Sequence, residues 1–162
     1  MHTLIKVVGE YFVFLSIAIV VVYWLRAKMS VKVSLTWQLV VGGVLAELMS
    51  IVASHLFYDT RPFVTHHLIP IIPHAADNGF PSDHALLTSF LAFTMILYSK
   101  RTAIILFVNA LLVSWARVAA HIHSPIDIVA SFVFAAIAVV VVRAVTSWWR
   151  ARGKSNSWRT LN

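Results

Sequence analysis

The chain has 162 residues, of which 60% are hydrophobic and only 12% are charged, and it contains no cysteine. Because soluble domains carry about 25% charged residues, this composition predicts an integral membrane protein and excludes disulfides and thiol chemistry. The net charge of +7 does not indicate nucleic-acid binding, since the basic residues lie at the ends of apolar segments, where they act as topology signals.

Five apolar segments approach the roughly 20 residues that a helix needs to cross the hydrocarbon core. In chain order they run from Val7 to Leu25, Leu35 to Tyr58, His84 to Tyr98, Ala103 to Ala120, and Ile126 to Trp149. We therefore predict an all-α integral membrane protein, a single domain over residues 1–162 with a bundle of about five transmembrane helices. Residues 150–162 follow the last segment and are predicted to form a basic cytoplasmic tail.

The distribution of lysine and arginine predicts the orientation of this bundle. Basic residues without acidic neighbours occupy the first connection, the third connection and the region from the fifth segment onward: Arg26, Lys28, Lys32, Lys100, Arg101, Arg143, Arg150, Arg152, Lys154 and Arg159. The positive-inside rule assigns these stretches to the cytoplasm. The amino terminus and the connections 59–83 and 121–127 are then expected on the outer side, and the carboxyl terminus inside.

Three polar clusters fall in the outer part of the chain, at residues 58–62, 79–84 and 114–127. In the third cluster, Ser124, Pro125 and Asp127 suit a helix N-cap, first position and third position, so the last span is predicted to begin there. His123 precedes this start, and Asp127 can accept a hydrogen bond from one imidazole nitrogen and leave the other free to attack. A helix cap beside an interfacial histidine is the alternative interpretation.

The second cluster, Phe80-Pro81-Ser82-Asp83-His84, places another N-cap serine at the start of the third segment. The first free amides of a helix bind phosphate well. His84 would lie in the first turn, where it can donate a proton to a leaving oxygen. Taken alone, ordinary helix capping explains the same residues.

Arg61 and Arg117 are the arginines that lie outside the predicted cytoplasmic stretches. The planar guanidinium suits phosphate because it donates paired hydrogen bonds, whereas structural ion pairs with Asp59, Asp77 or Asp83 are the alternative. The clusters together supply two arginines, two histidines and a carboxylate to one membrane face from different helix ends. This convergence favours a phosphoryl-transfer site.

Glu47 is an acidic residue within a predicted span, which makes it a functional candidate. It is spaced by seven residues from Ser54, and Ser54 by seven from Arg61, so the three would share one helix face if the helix extends that far. Further histidines could join His84 and His123 in a metal site, but their spacing fits no common zinc pattern, and we expect no metal. They are His66, His67, His74 and His121.

The motifs Arg61-Pro62, Pro81-Ser82-Asp83-His84 and Ser114-x2-Arg117-x5-His123-x3-Asp127 resemble the three signatures of the type-2 phosphatidic acid phosphatase superfamily, which includes vanadium haloperoxidases. Most members have glycine where this chain has Asp83, and lysine where it has Ser54. The run Ile72-Pro73-His74-Ala75-Ala76-Asp77, followed by Phe80 to His84, is similar to bacterial undecaprenyl-diphosphate phosphatases of this superfamily.

The resemblance implies a role for each site residue. His123 would attack the terminal phosphorus, Asp127 would orient His123, and His84 would protonate the leaving group. The phosphoryl oxygens would be held by Arg61, Arg117 and the amide and hydroxyl of Ser82. Asp83 would lie beside the substrate, where it could pair with an arginine or hold water. No metal or other cofactor is implied.

The resemblance also implies the substrate and the place of reaction. The enzyme would hydrolyse undecaprenyl diphosphate to undecaprenyl phosphate and phosphate at the outer face of the bacterial cytoplasmic membrane, with the polyprenyl tail in the bilayer. Phosphatidylglycerophosphate or phosphatidate phosphatase and lipid A phosphotransferase are rivals with the same site, and a non-catalytic lipid or phosphate carrier is a rival of another class. The usual bundle has six spans, so a form without the first span is expected.

Overall fold

The computed structural model describes residues 1–157, with side chains described as far as Arg152. The helices are α1 (His2–Arg26), α2 (Met29–Leu56), α3 (Pro62–Thr65), α4 (Asp83–Ile96), α5 (Lys100–Ala119) and α6 (Pro125–Ser157). Within residues 1–157, β structure is limited to an isolated antiparallel bridge between Thr60 and Asn78. The predicted all-α class is therefore confirmed.

Four of the described helices are long and apolar enough to cross a membrane: α1, α2, α5, and α6 as far as Arg152. The segment predicted to be short is α4, which has 14 residues against the roughly 20 needed for a full span. Large apolar side chains are exposed along α1, α2, α5 and α6, as expected for helices that face lipid. The chain is a multi-pass membrane protein.

Several predicted boundaries differ from the structure: α1 begins at His2 rather than Val7, and α5 begins at Lys100 rather than Ala103. Helix α2 begins at Met29 rather than Leu35, because the polar residues in its first turns are compatible with a helix although they lower the hydropathy. Lys32 lies there with its ammonium 4.8 Å from the centre of the Trp24 ring. Helix α6 continues past Trp149 to Ser157, so the predicted tail is helical over residues 150–157; the rest of it lies outside the described residues.

Helix α4 occupies the centre of the bundle and packs against both α5 and α6. Its buried residues surround the helix axis: Ala85, Leu86, Thr88, Ser89, Phe90, Leu91, Ala92, Thr94 and Met95. Helix α1 packs on α5, and α2 packs on α6. The helix that begins with the second polar cluster thus lies between the two helices that flank the third cluster.

The connections that hold the polar clusters pack together at one end of the bundle. Ile72, only 2% exposed, packs in a buried cluster with Ile5, Ala116 and Ile122. The Phe63 amide donates a hydrogen bond of 2.9 Å to the carbonyl of His121. These contacts join the 57–81 connection to the short link between α5 and α6, so the three clusters meet as the sequence predicts.

Candidate active site

A cavity of about 420 Å³ lies where the three polar clusters meet. Of the predicted site residues, Arg61, Asp83, Arg117 and His123 line it directly. The remaining three, Ser82, His84 and Asp127, do not form its wall. Most of the side chains that line the cavity are polar, and they come from α2, α4, α5 and two connections. Most of the surrounding bundle surface is apolar.

His123 is 3% exposed and is held in one tautomer by its neighbours. Its Nδ1 lies 2.9 Å from the carbonyl oxygen of Gly79 and 3.3 Å from Oδ2 of Asp127. A carbonyl oxygen only accepts hydrogen bonds, so Nδ1 carries the proton. Nε2 then has a lone pair directed at the guanidinium of Arg117, whose Nη2 lies 3.3 Å away. This is the protonation state that a nucleophilic imidazole requires.

Asp127 is fully buried and has two functions in this geometry. Its Oδ2 accepts a hydrogen bond of 2.8 Å from the Ser124 amide, which caps the start of α6, and also faces His123. Its Oδ1 is buried without a hydrogen-bond partner among the described residues. The Ser124 hydroxyl, predicted to cap α6, instead donates to Asp59, so the cap at this helix comes from the carboxylate.

Arg117 is 3% exposed and forms no ion pair with any described residue. Its Nη2 donates to Nε2 of His74 at 3.1 Å and to Nε2 of His123 at 3.3 Å, while its Nε is buried without a partner. His74 is itself fixed, because its Nδ1 donates to the carbonyl of Pro73 at 2.9 Å. A buried guanidinium without a carboxylate partner is costly, which favours an anionic ligand at this position.

Arg61 is 7% exposed, and protein groups already contact each of its guanidinium nitrogens. Nε donates to Asp77 at 2.7 Å, Nη1 to the carbonyl of Ile122 at 2.8 Å, and Nη2 to the carbonyl of Asn78 at 3.3 Å. The alternative of a structural ion pair with Asp77 is therefore present in the structure. Since Nη1 and Nη2 each retain a second proton, Arg61 can still donate to a phosphate.

The start of α4 differs in part from the sequence-based expectation. Ser82 occupies the N-cap, but its hydroxyl makes no capping bond and is buried without a partner. Its amide, predicted to bind phosphate, donates to Oγ of Ser131 at 3.0 Å, so its one proton already has an acceptor in this geometry. His84 lies in the first turn within electrostatic range of Arg117 and His123. At the start of α4, the Ser82 hydroxyl and the His84 imidazole therefore remain the candidates for contact with a phosphate.

Asp83 is exposed and lines the cavity, but it forms no ion pair among the described residues. Glu47 and Ser54 also line it, and they reach it from α2. Because α2 ends at Leu56, the helix does not extend to Arg61, and the condition for one shared helix face is not met. Glu47, Ser54 and Arg61 nevertheless border the same cavity. Within residues 1–157, no three His, Cys, Asp or Glu side chains are grouped as metal ligands.

The charges and burial in the connections shift the pKa values of three groups. Burial lowers the pKa of His123 below its ordinary value of 6.5; the hydrogen bond with Asp127 opposes this, and the charge of Arg117 adds to it. Burial and the charge of Arg117 also lower the pKa of His74. The hydrogen bond from Arg61 holds the pKa of Asp77 below its usual range. Both imidazoles are therefore neutral at neutral pH.

The lowered pKa of His123 predicts how activity depends on pH. The imidazole of His123 stays neutral below pH 6.5, so a reaction that uses the unprotonated Nε2 is lost only as the pH falls through the lowered pKa. We expect the acid limb of kcat/KM, which reports groups of the free enzyme, to lie below pH 6.5. Phosphate release measured from about pH 5 to about pH 9 tests this. An acid limb centred above pH 6.5 would contradict it.

Sequence comparisons identify a family and relatives of this chain. A family model described as the PAP2 superfamily matches residues 35–151. The bacitracin transport permease protein BcrC of Bacillus licheniformis is 27% identical over 143 residues, which cover 88% of this chain and 70% of that protein. The undecaprenyl-diphosphatase BcrC of Bacillus subtilis strain 168 is 30% identical over 97 residues, which cover 60% of this chain and 50% of that protein.

A solved structure shares the fold of this chain. The crystal structure of Aquifex aeolicus LpxE superposes with a TM-score of 0.72 and 19% sequence identity, over 89% of this chain and 88% of that one. At this identity the likeness shows the fold alone. The chain spans 50% to 70% of the length of the two BcrC proteins.

Proposed function

We propose that this chain, which belongs to the PAP2 superfamily, is a membrane lipid phosphatase that hydrolyses undecaprenyl diphosphate to undecaprenyl phosphate and inorganic phosphate. The undecaprenyl-diphosphatase name of the B. subtilis relative supports this substrate. The observation that carries the proposal is the buried Arg117, which has no carboxylate partner among the described residues and directs Nη2 at Nε2, the unprotonated nitrogen of His123. A phosphoryl group placed there would meet a nucleophile and a cation together.

In the proposed first step, Nε2 of His123 attacks the terminal phosphorus and forms a phosphohistidine. The bond between this phosphorus and the bridging oxygen breaks, and undecaprenyl phosphate leaves with a proton from His84. Phosphoryl oxygens would replace the imidazoles as acceptors for Arg117, with further donors from Arg61 and the hydroxyl of Ser82. In the second step, water gives its proton to His84 and attacks the phosphohistidine, which releases inorganic phosphate.

The proposed location follows from the positive-inside rule. The site would face the outer side of the bacterial cytoplasmic membrane, with the amino terminus outside and the carboxyl terminus inside. The lipid tail would remain in the bilayer while its diphosphate enters the cavity. Such a reaction would recycle the lipid carrier of cell-wall synthesis, and bacitracin resistance would be a consequence.

A substrate panel tests the proposed lipid. Detergent-purified protein in EDTA is given undecaprenyl diphosphate, phosphatidylglycerophosphate, phosphatidate, and lipid A with a phosphate acceptor. We expect undecaprenyl diphosphate to give the highest kcat/KM for phosphate release. A preference for a glycerolipid, or transfer of phosphate to lipid A, would replace the proposed substrate but retain the site chemistry.

A lipid or phosphate carrier is the second candidate, because the B. licheniformis relative is named a transport permease. A carrier also benefits from arginines at helix ends, but it has no use for an imidazole held in a nucleophilic tautomer. The hydrogen bonds from Nδ1 of His123 to Gly79 and Asp127 therefore favour the enzyme.

The two acceptors at Nδ1 of His123 predict the effect of Asp127→Asn. Loss of the orienting carboxylate costs about 10⁴-fold where it alone fixes the tautomer. Here the Gly79 carbonyl is the nearer acceptor, at 2.9 Å against 3.3 Å for Asp127. We therefore expect a smaller fall in kcat, about 10²-fold, because the tautomer survives while the stabilising charge is lost. An unchanged kcat in steady-state assays would exclude Asp127 from catalysis.

A further inference from the structure

The Gly79 carbonyl is the closest hydrogen-bond partner of the candidate nucleophile, and it belongs to a connection rather than to a helix. It lies 2.9 Å from Nδ1 of His123. The Gly79 peptide is closely enclosed: a Cβ at this position would lie 3.2 Å from Oδ2 of Asp127 and 3.3 Å from Cγ of Arg61. The position of this carbonyl therefore depends on whatever fixes the backbone on either side of it.

The neighbouring side chain of Asn78 uses its full hydrogen-bonding capacity. Its Oδ1 accepts from the amides of Asp59 and Phe80, each at 3.0 Å. Its Nδ2 donates to the carbonyl of Ser54 at 2.9 Å and to that of Phe57 at 3.0 Å. A primary amide has two donor protons and one acceptor oxygen with two lone pairs, so no capacity remains.

These bonds attach the connection to the end of α2. The last carbonyls of a helix lack partners within the helix. Asn78 donates one proton to each of two carbonyls at the end of α2, which finishes at Leu56. The backbone adds to this attachment, because the Gly79 amide donates to the carbonyl of Asp59 at 2.9 Å. The Asn78 carbonyl also accepts from Arg61 at 3.3 Å.

We propose that Asn78 is a positioning residue for the nucleophile: it fixes the connection to the end of α2 and thereby holds the Gly79 carbonyl against Nδ1 of His123. The inference rests on the proposed function, in which His123 attacks phosphorus. Without the Asn78 amide, the Gly79 carbonyl loses its fixed position, and Asp127 becomes the remaining acceptor for Nδ1, at 3.3 Å. The imidazole then samples other orientations and the other tautomer.

Replacement of Asn78 by alanine tests this role. We expect kcat per folded molecule to fall about 10- to 100-fold, the range for residues that orient a reacting group, while KM changes less than about 3-fold because Arg117 and Arg61 remain. The matched control is Asn109→Ala. Asn109 is 4% exposed and its Nδ2 bonds Phe12 and Ser16, so its loss removes buried hydrogen bonds away from the site. Its kcat should stay within about 3-fold of the native value.

A readout of the imidazole itself separates positioning from general loss of structure. In ¹⁵N-histidine NMR spectra, the His123 signal, assigned with a His123→Ala sample, should show the Nδ1-protonated tautomer in the native protein and a tautomer mixture in Asn78→Ala. Asn78→Asp is the second variant, since it keeps the size and the accepted bonds but places an acceptor against two carbonyls. For Asn78→Asp we expect the same changes as for Asn78→Ala, a lower kcat and a mixture of His123 tautomers.

The outcomes are distinguishable. If both Asn78 variants are folded and keep the native kcat and the native His123 tautomer, the positioning role is wrong. A fall in activity that matches the fall in folded fraction, with the tautomer unchanged, also overturns it. If the native protein releases no phosphate from any lipid phosphate, the proposed function fails, while the tautomer comparison still decides whether Asn78 fixes His123.

Discussion

Replacement of His123 by alanine is expected to abolish turnover, with a fall in kcat of about 10⁴-fold or more. The imidazole is the group that would form the covalent bond to phosphorus, and its protonation and orientation are set by Gly79 and Asp127. Removal of a nucleophile leaves only the contribution of binding and charge stabilisation. Initial rates of phosphate release from undecaprenyl diphosphate in EDTA measure the effect.

His66→Ala is the matched control for this prediction, because His66 is exposed on the same connection as the first polar cluster and is not part of the cavity wall. It should keep the native rate. Retained phosphate release in folded His123→Ala protein would contradict covalent catalysis by this residue. If instead the variant and the native protein both move lipid without releasing phosphate, the carrier is the better description.

Replacement of Arg117 by lysine is expected to lower kcat/KM by about 10²- to 10³-fold, although the positive charge is kept. The guanidinium reaches His74 and His123 through Nη2 and has further donors on its other nitrogens for phosphate, whereas the three donor protons of an ammonium all radiate from one nitrogen on a flexible stem. The lysine nitrogen therefore cannot reproduce both contacts and also hold the transferred group.

Arg101→Lys is the control for Arg117→Lys, since Arg101 is exposed on the first turn of the same helix, at the opposite end from the site. It should leave steady-state parameters unchanged. An Arg117→Lys enzyme with native kcat/KM would show that a charge alone suffices at this position. A contribution of the planar, paired donors of the guanidinium to kcat/KM would then be excluded.

Side-chain type and spacing were sufficient to predict the general fold and the place where the clusters meet. The apolar segments define the helices, since a helix in lipid must satisfy its own backbone hydrogen bonds. The pattern at Arg117, His123 and Asp127 identified residues that the structure brings together at one cavity or directly behind it. These residues could be predicted because their chemistry lies in their side chains, and the sequence gives the identity of each side chain.

Contributions from the backbone were not predictable in the same way. The Gly79 carbonyl is the nearest acceptor of His123, but every residue has a carbonyl, so the sequence gives no signal for it. A lone asparagine in a connection is typical of turns, so the sequence does not indicate that Asn78 has a positioning role. The sequence predicts that the Ser82 amide binds phosphate. Only the packing of α4 against α6 reveals that Oγ of Ser131 already accepts the hydrogen bond of this amide.

Direct detection of the covalent intermediate tests the central claim most closely. Native protein is mixed with undecaprenyl diphosphate that carries a radiolabel in the terminal phosphate, denatured within one turnover, and digested for peptide mapping. We expect an alkali-stable, acid-labile label on the peptide that contains His123, with none in the His123→Ala protein. Rapid release of labelled phosphate by the native enzyme, without label on any peptide at any quench time, would contradict a phosphohistidine mechanism.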